Sequence, residues 1–548
     1  MGYPSEMMES IRLVEETREE RLGMEIERIS VEDKDELLRR WHPDYREDAL
    51  RRLRIGANMG DLVVAEIADI LEAYPLINPN SIDLSRIDFD CEVLVIGGGG
   101  AGVSAALWAV YSGLNPSDIL IATKLRMGDS NTRMATGAFQ AAIGPDDSPM
   151  LHFLDTMGGG HFVNKPELVR ALVMDAPLIL EWFEDLGVIL PKDSEGRLLL
   201  RKIGGTSRAR ATWAMEYGGA EMMRVLMDEV MNYGIPFLEF APAVELIMDD
   251  NGRVAGAILY DFDTEEFVVV RAKAVILATG GLGRLHIQGF TTTNHYGATA
   301  DGIVIAYRAG AKLRDMDSIQ YHPTTTVYPE PLLGRLCTEL FRSMGAQLVN
   351  RYGEIFIHPL EPRDVEAAAI IRECYGRGNG VKTPSGHVGV WLDIPLVELI
   401  NGEGFVRKHF ASEWRAFKRY GIDISREPVL VFPGIHFQNG GIEINERTET
   451  SVPGLFAAGE VTGGVHGKNR LGGNGLTDCF VFGRRAGIFA ANYVKKVSIG
   501  KLSLDHVVKY VEKLKSLGVS ESRRAPILLP NYRKKLLESK VPLYSRYN

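Results

Sequence analysis

The pattern of apolar and polar positions is most informative between Val93 and Ala106, which read VLVIGGGGAGVSAA. Four consecutive apolar residues, Val93–Ile96, predict a buried parallel strand, and the composition of Val103–Tyr111 predicts a helix. Between them Gly97, Gly99 and Gly102 fit G-x-G-x-x-G. Such a turn lets backbone approach a pyrophosphate and aims a helix N-terminus at its charge. The strand before it and the helix after it supply the context the motif needs, so a dinucleotide site is expected here.

Upstream, residues 1–88 are rich in Glu and Arg, with helical spacing over Glu36–Arg54 and Val63–Leu71 and breaks at Pro75 and Pro79. Such a segment serves either as a docking arm for another subunit or as a helical cap on its own chain, and Trp41-His42-Pro43 reads as a packing or turning element. Downstream, a second strand is expected at Ile119–Thr123. Dinucleotide sites often carry an acid at the end of that strand to hold a ribose. Thr123 and Lys124 stand there instead, leaving the ribose contact unassigned. The small residues of Ser130–Ala142 suit backbone passing close to a flat ring. Residues 150–235 read as helices interrupted at Ile203-Gly204-Gly205. Strands are expected at Val254–Tyr260, Glu266–Val270 and Ala274–Ala278, the last halted by Thr279-Gly280-Gly281.

Composition narrows the class. A chain of 548 residues, 45% hydrophobic and 24% charged, is that of a soluble protein with more than one domain. Its net charge of −10 argues against a general nucleic-acid binder. The uncharged run Val93–Leu114 is long enough to raise the question of a membrane span, but its glycines and its strand-turn-helix pattern explain it better. The opening MGYPSE has neither a basic-then-apolar signal nor the Ser or Thr of a myristoylation site, so a cytoplasmic location is expected. Cys91, Cys337, Cys374 and Cys479 form no C-x-x-C pair. Buried thiols are expected, with no metal held by this chain and any iron–sulfur cluster on a partner.

The order of further motifs resembles one family, that of the flavoproteins of fumarate reductases, succinate dehydrogenases and L-aspartate oxidases. The resemblance covers about residues 89–490 and rests on GGGGAG at 97–102, ATGG at 278–281, HPT at 322–324 and TELFR at 338–342. PRD at 362–364, Gly434-Ile435-His436, AGE at 458–460 and HGKNRLGGNGL at 466–476 complete it. It implies an α/β (α+β) fold: a Rossmann-like FAD-binding domain (89–321 and 437–495) with a capping domain (322–436) inserted. A helical N-terminal extension (1–88) and a short helical C-terminal tail (496–548) would flank them.

The residues themselves point the same way. Any one of His322, Arg363, His436 and Arg470 would read as a structural histidine or a surface ion pair. Together, two guanidinium forks and two imidazoles suit a substrate with two carboxylates. By resemblance His322 and Thr338 hold one carboxylate, and His436 and Arg470 the other. Arg363 resembles the residue that delivers a proton to the substrate carbon, while flavin N5 delivers hydride to its neighbour. A guanidinium titrates above about 12, so an arginine acid needs a relay, and Glu339 with Arg342 matches the family's pair. Cofactor contacts are implied for Gly97, Gly99, Gly100, Ala101, Gly102, Thr123, Lys124, Ser130, Asn131, Thr132, Thr136 and Gly137. Ala278, Thr279, Gly280, Asp301, Glu460, Asn474, Gly475 and Leu476 complete that set, the last three opening a helix whose positive end would face the flavin pyrimidine.

Departures from the family choose among its members. Ser130-Asn131-Thr132 replaces the SHT whose histidine bonds flavin covalently, so non-covalent FAD and fumarate reduction are expected. L-aspartate oxidases lack that histidine too, but carry a Glu before a G-G pair to read an ammonium; Ile203 stands there. RSMGA at 342–346 replaces the RGEGG of many members. From Lys495 on, 13 Lys and Arg stand against 4 Asp and Glu, a basic tail that either docks a partner or is simply solvated. The expected protein is an FAD-dependent fumarate reductase with an iron–sulfur partner. The alternatives are aspartate oxidation, reduction of another unsaturated acid, or flavin binding without catalysis.

Overall fold

The computed structural model describes residues 2–212 and 216–530. The last part of the expected C-terminal tail, 531–548, lies outside the described residues. The strand predicted at Val93–Ile96 runs Phe89–Ile96, and the helix behind it Gly100–Tyr111. The strand pairs in parallel with Ile119–Ala122 on one side and Phe267–Leu277 on the other. Phe237–Leu238 and Leu455–Ala457 extend the parallel part, while Ala243–Asp249 and Val254–Tyr260 add an antiparallel meander. In place of the two strands expected at Glu266–Val270 and Ala274–Ala278, one strand of eleven residues spans the region. Its polar residues do not break it, because Arg271 and Lys273 form ion pairs with Asp90 and Glu92 on the adjacent strand.

The helix Asn474–Val494 lies along Gly100–Tyr111, and Gly487 allows the approach. A Cβ there would stand 2.2 Å from the Ala105 carbonyl oxygen. Two segments distant in sequence thereby bring both helix N-termini toward the carboxyl ends of the parallel strands, where ligands of such sheets bind.

A second, antiparallel sheet holds Ile319–Thr326, Val429–Gln438, Val388–Asp393 and Gln347–Val349 in spatial order. The N-terminal segment packs on it. The helix Ser5–Glu16 buries Met7, Ile11 and Val14, one face at i, i+4 and i+7. Arg18 and Arg21 both reach the fully buried Asp393. These residues therefore pack on their own chain. The helix expected over Glu36–Arg54 is shorter, Val31–Trp41, capped by Ser30 at its start and stopped at His42 before Pro43. The helix expected over Val63–Leu71 begins at Ala65, after the short strand Leu62–Val64. Among the described residues no helix is long and apolar enough to cross a membrane, and the four cysteines are unpaired.

Candidate active site

One cavity of about 590 Å³ runs from the glycine turn to the edge of the second sheet, within the range of small-molecule sites. At its first end Gly97 has φ +124°, and a Cβ there would lie 2.2 Å from the Ala278 carbonyl oxygen. Gly97, Gly99, Gly100 and Ala101 line the wall there, joined by Thr123, Ser130, Thr132, Thr136, Gly137, Ala278, Thr279 and Gly280. Lys124 and Asp301 also line it, paired with each other, and the Lys124 ammonium also donates to Thr299 Oγ1 (2.6 Å). Asn131 donates to Glu460 Oε2 (3.1 Å) and accepts the His295 N–H (2.6 Å), tying the loop to the far strand. Burial raises the Glu460 carboxyl pKa above its ordinary value.

Gly475 and Leu476 reach the cavity. Gly102 and Asn474 stand behind the wall: Gly102 packs on the Gly97 carbonyl, and Asn474 is spent on His152 Nε2 (2.9 Å) and Thr156 Oγ1 (3.0 Å). A glycine turn with no room for a Cβ at Gly97 or Gly100, two helix N-termini, and buried hydroxyls at Thr136 and Thr279 without partners among the described residues together fit a long polar cofactor with a pyrophosphate centre.

At the other end His322, Thr338, Glu339, Arg363, His436 and Arg470 converge on the same cavity. The strand Ile319–Thr326 supplies His322, the facing strand Val429–Gln438 supplies His436, and their rings are 5.0 Å apart. The Thr324 N–H donates to His322 Nδ1 (3.2 Å). An accepting Nδ1 carries no proton, so the neutral ring keeps its proton on Nε2. His436 Nδ1 is held by Thr293 Oγ1 (2.7 Å). Burial and the charge of Arg363 hold both imidazoles well below the usual 6.5. Two neutral rings and two guanidinium groups therefore face one space.

Arg363 opens the helix Arg363–Ile371. Its Nε and Nη2 both donate to Glu339 Oε2 (2.8 and 2.5 Å), and its Nη1 donates to Gln320 Oε1 (3.0 Å). Arg470 Nη2 donates to that same Gln320 oxygen (3.0 Å). Gln320 turns its oxygen to the arginines because its amide nitrogen donates to Asn469 Oδ1 (2.9 Å) and the Arg470 carbonyl (2.5 Å). Burial would raise the Glu339 carboxyl, but Arg363, Arg342 and the Gly204 N–H outweigh it and hold the group at about 2. Burial and repulsion from Arg363 draw Arg470 down to about 9.

Arg342 lies behind Glu339, 4.0 Å from it, and is ion-paired with the fully buried Glu366. Glu366 is three residues after Arg363, one turn along the same helix, so one element carries both ends of the network. Ile203 stays apolar beside it, and the neighbouring Gly204 gives its N–H to Glu339 (2.8 Å). Three residues that no motif singles out join the site: Gln320, Glu366 and Glu413, which also lines the cavity. Glu366 at i+3 from Arg363, and Gln320 two residues before His322, are the signals that point to the first two.

Comparison with known proteins adds to this geometry. Residues 92–476 match the FAD binding domain family. The chain is 40% identical to a subunit of the fumarate reductase (CoM/CoB) of Methanothermobacter marburgensis, over 74% of itself and 73% of that protein. It is 37% identical to an L-aspartate oxidase of Nostoc over 75% and 69%. Among solved structures, a chain of E. coli quinol fumarate reductase superposes with a TM-score of 0.70 at 29% identity, over 79% of this chain and 74% of that one.

Proposed function

This chain belongs to the FAD binding domain family of fumarate reductase and succinate dehydrogenase flavoproteins and is an FAD-dependent oxidoreductase acting on CH–CH bonds; on that premise we propose that it interconverts fumarate and succinate. The observation that carries the reading is the shared Gln320 oxygen, which fixes Arg363 and Arg470 side by side between two neutral histidines. His322 Nε2–H and Thr338 bind one carboxylate, and His436 and Arg470 the other. Held at both ends, the alkene carbon is presented to Arg363. FAD, when bound, supplies the hydride.

Arg363 gives its proton to the substrate carbon and regains it through Glu339 and Arg342. The cations at the carboxylates stabilise the negative charge that develops on the carbon. Asn131 in place of a histidine leaves the cofactor non-covalent. A cap from 322 to 436 over two FAD-binding segments belongs to this proposal, as does an iron–sulfur partner that supplies electrons.

The test is anaerobic. The holoprotein is reduced, fumarate is added, and flavin absorbance is followed. Rapid reoxidation with one succinate formed per flavin is expected. Reduction of the oxidised flavin by L-aspartate, with no response to fumarate, would transfer the chain to the aspartate oxidases. Ile203, apolar where those enzymes carry a carboxylate, supports the first outcome.

A further inference from the structure

Beside Thr338 the cavity has a wall that the dicarboxylate reading leaves unused. Glu413, on the helix Ala411–Lys418, is 4% exposed and lines the cavity together with Thr338 and Arg335. Its Oε1 accepts the Thr338 N–H (3.3 Å). Its Oε2 is buried and has no hydrogen-bond partner among the described residues. The groups that face this carboxyl are Glu216, Arg335 and Cys337. Glu216 is itself fixed as an acceptor, taking the N–H groups of Ser412 (2.7 Å) and Glu413 (3.0 Å).

We propose that Glu413 is a specificity-determining residue of the substrate site, whose neutral carboxyl donates from Oε2 to the carboxylate that Thr338 and His322 bind. The inference rests on the dicarboxylate reading and adds a third donor to one end of it. Oε1 accepts a backbone N–H, so the proton belongs on Oε2, the oxygen left free for a ligand. Burial first, then the charge of Glu216, raise this carboxyl to about 8, against the partial opposition of Arg335. At neutral pH the group is an acid, a strong donor to a carboxylate. Once ionised it is a second negative charge against the same substrate oxygen pair, and binding is lost.

The experiment is a titration of the oxidised holoprotein with malonate, a dicarboxylate that is not turned over, read by the flavin absorbance between pH 6 and 10. In the wild type the Kd is expected to be flat below pH 8 and to rise about tenfold per unit above it. Glu413→Gln keeps a donor that cannot ionise, and its Kd is expected to stay within about fivefold of the pH 7 value up to pH 9. Glu413→Leu is expected to bind about tenfold more weakly at pH 7 with its flavin retained. A pH limb near 8 that persists in Glu413→Gln would assign it to Arg470 and overturn the inference, as would a flat wild-type profile. Malonate without effect at any pH, with fumarate equally without effect on the reduced flavin, would remove the dicarboxylate reading and this inference with it.

Discussion

Arg363 meets Glu339 through two of its nitrogens and Gln320 through the third, so its guanidinium has little freedom to turn. In the proposed role of proton donor, this fixed geometry would make it effective before substrate arrives. Arg363→Lys keeps a charge but loses the fork. It is expected to lower fumarate turnover by about 10²–10⁴, the usual worth of a positioned acid, while malonate affinity changes less than about tenfold. Stopped-flow reoxidation beside a malonate titration separates the two. Gln320→Ala leaves two guanidinium groups facing each other without the acceptor they share. Here kcat and KM are expected to worsen together, with kcat/KM down by about 10–100-fold, or about 1.4–2.8 kcal/mol.

Between elements the fold makes one connection that spacing does not reveal. The N-terminal helices bury Arg21 against Asp393 at 2.7 Å, on the sheet whose other strands carry His322 and His436. Removing Arg21 leaves Asp393 with Arg18 as its remaining cation, at a cost below the about 3–5 kcal/mol of a buried charge left wholly alone. Arg21→Ala should therefore lower the thermal midpoint by several degrees, measured by calorimetry on the holoprotein, with substrate affinity unchanged in the fraction that remains folded. The motif strands and helices are legible in the sequence because glycine, proline and long apolar runs each have a local cause. The continuous strand Phe267–Leu277 is not, because Arg271 and Lys273 look like a break until their partners on Phe89–Ile96 are known. Likewise the helix ending at Trp41 is shorter than its pattern suggests, since charge-rich periodicity continues past His42-Pro43 while the backbone cannot.

For the whole molecule, pH stability follows the buried network. Glu339 is held at about 2 in the folded protein, against about 4.3 for a free glutamate. Its folded pKa is depressed, so its contribution is fully present above about pH 4.3 and is lost as pH falls from there through 2. Glu339→Gln should therefore be less stable than the wild type at pH 7, and the gap between the two should narrow below pH 4, read by urea unfolding across that range. How much of the site is legible also divides at this scale. His322, Thr338, Arg363, His436 and Arg470 stand in motifs whose order is distinctive. Gln320, Glu366 and Glu413 stand in none: the first two are reached only by their spacing from His322 and Arg363, and Glu413 acquires meaning only from what the fold sets against it.

The strand Leu455–Ala457 closes one side of Phe267–Leu277, and this sets a timetable for biosynthesis. A nascent chain that has emerged only as far as Val429–Gln438 already possesses the glycine turn, His322 and Arg363. It still lacks Arg470, the second helix and the strand that pairs with Val275–Leu277. Until then Val275–Leu277 lack their pairing on that side. With both helix N-termini holding the cofactor as proposed, its capture can come only after Asn474 has emerged.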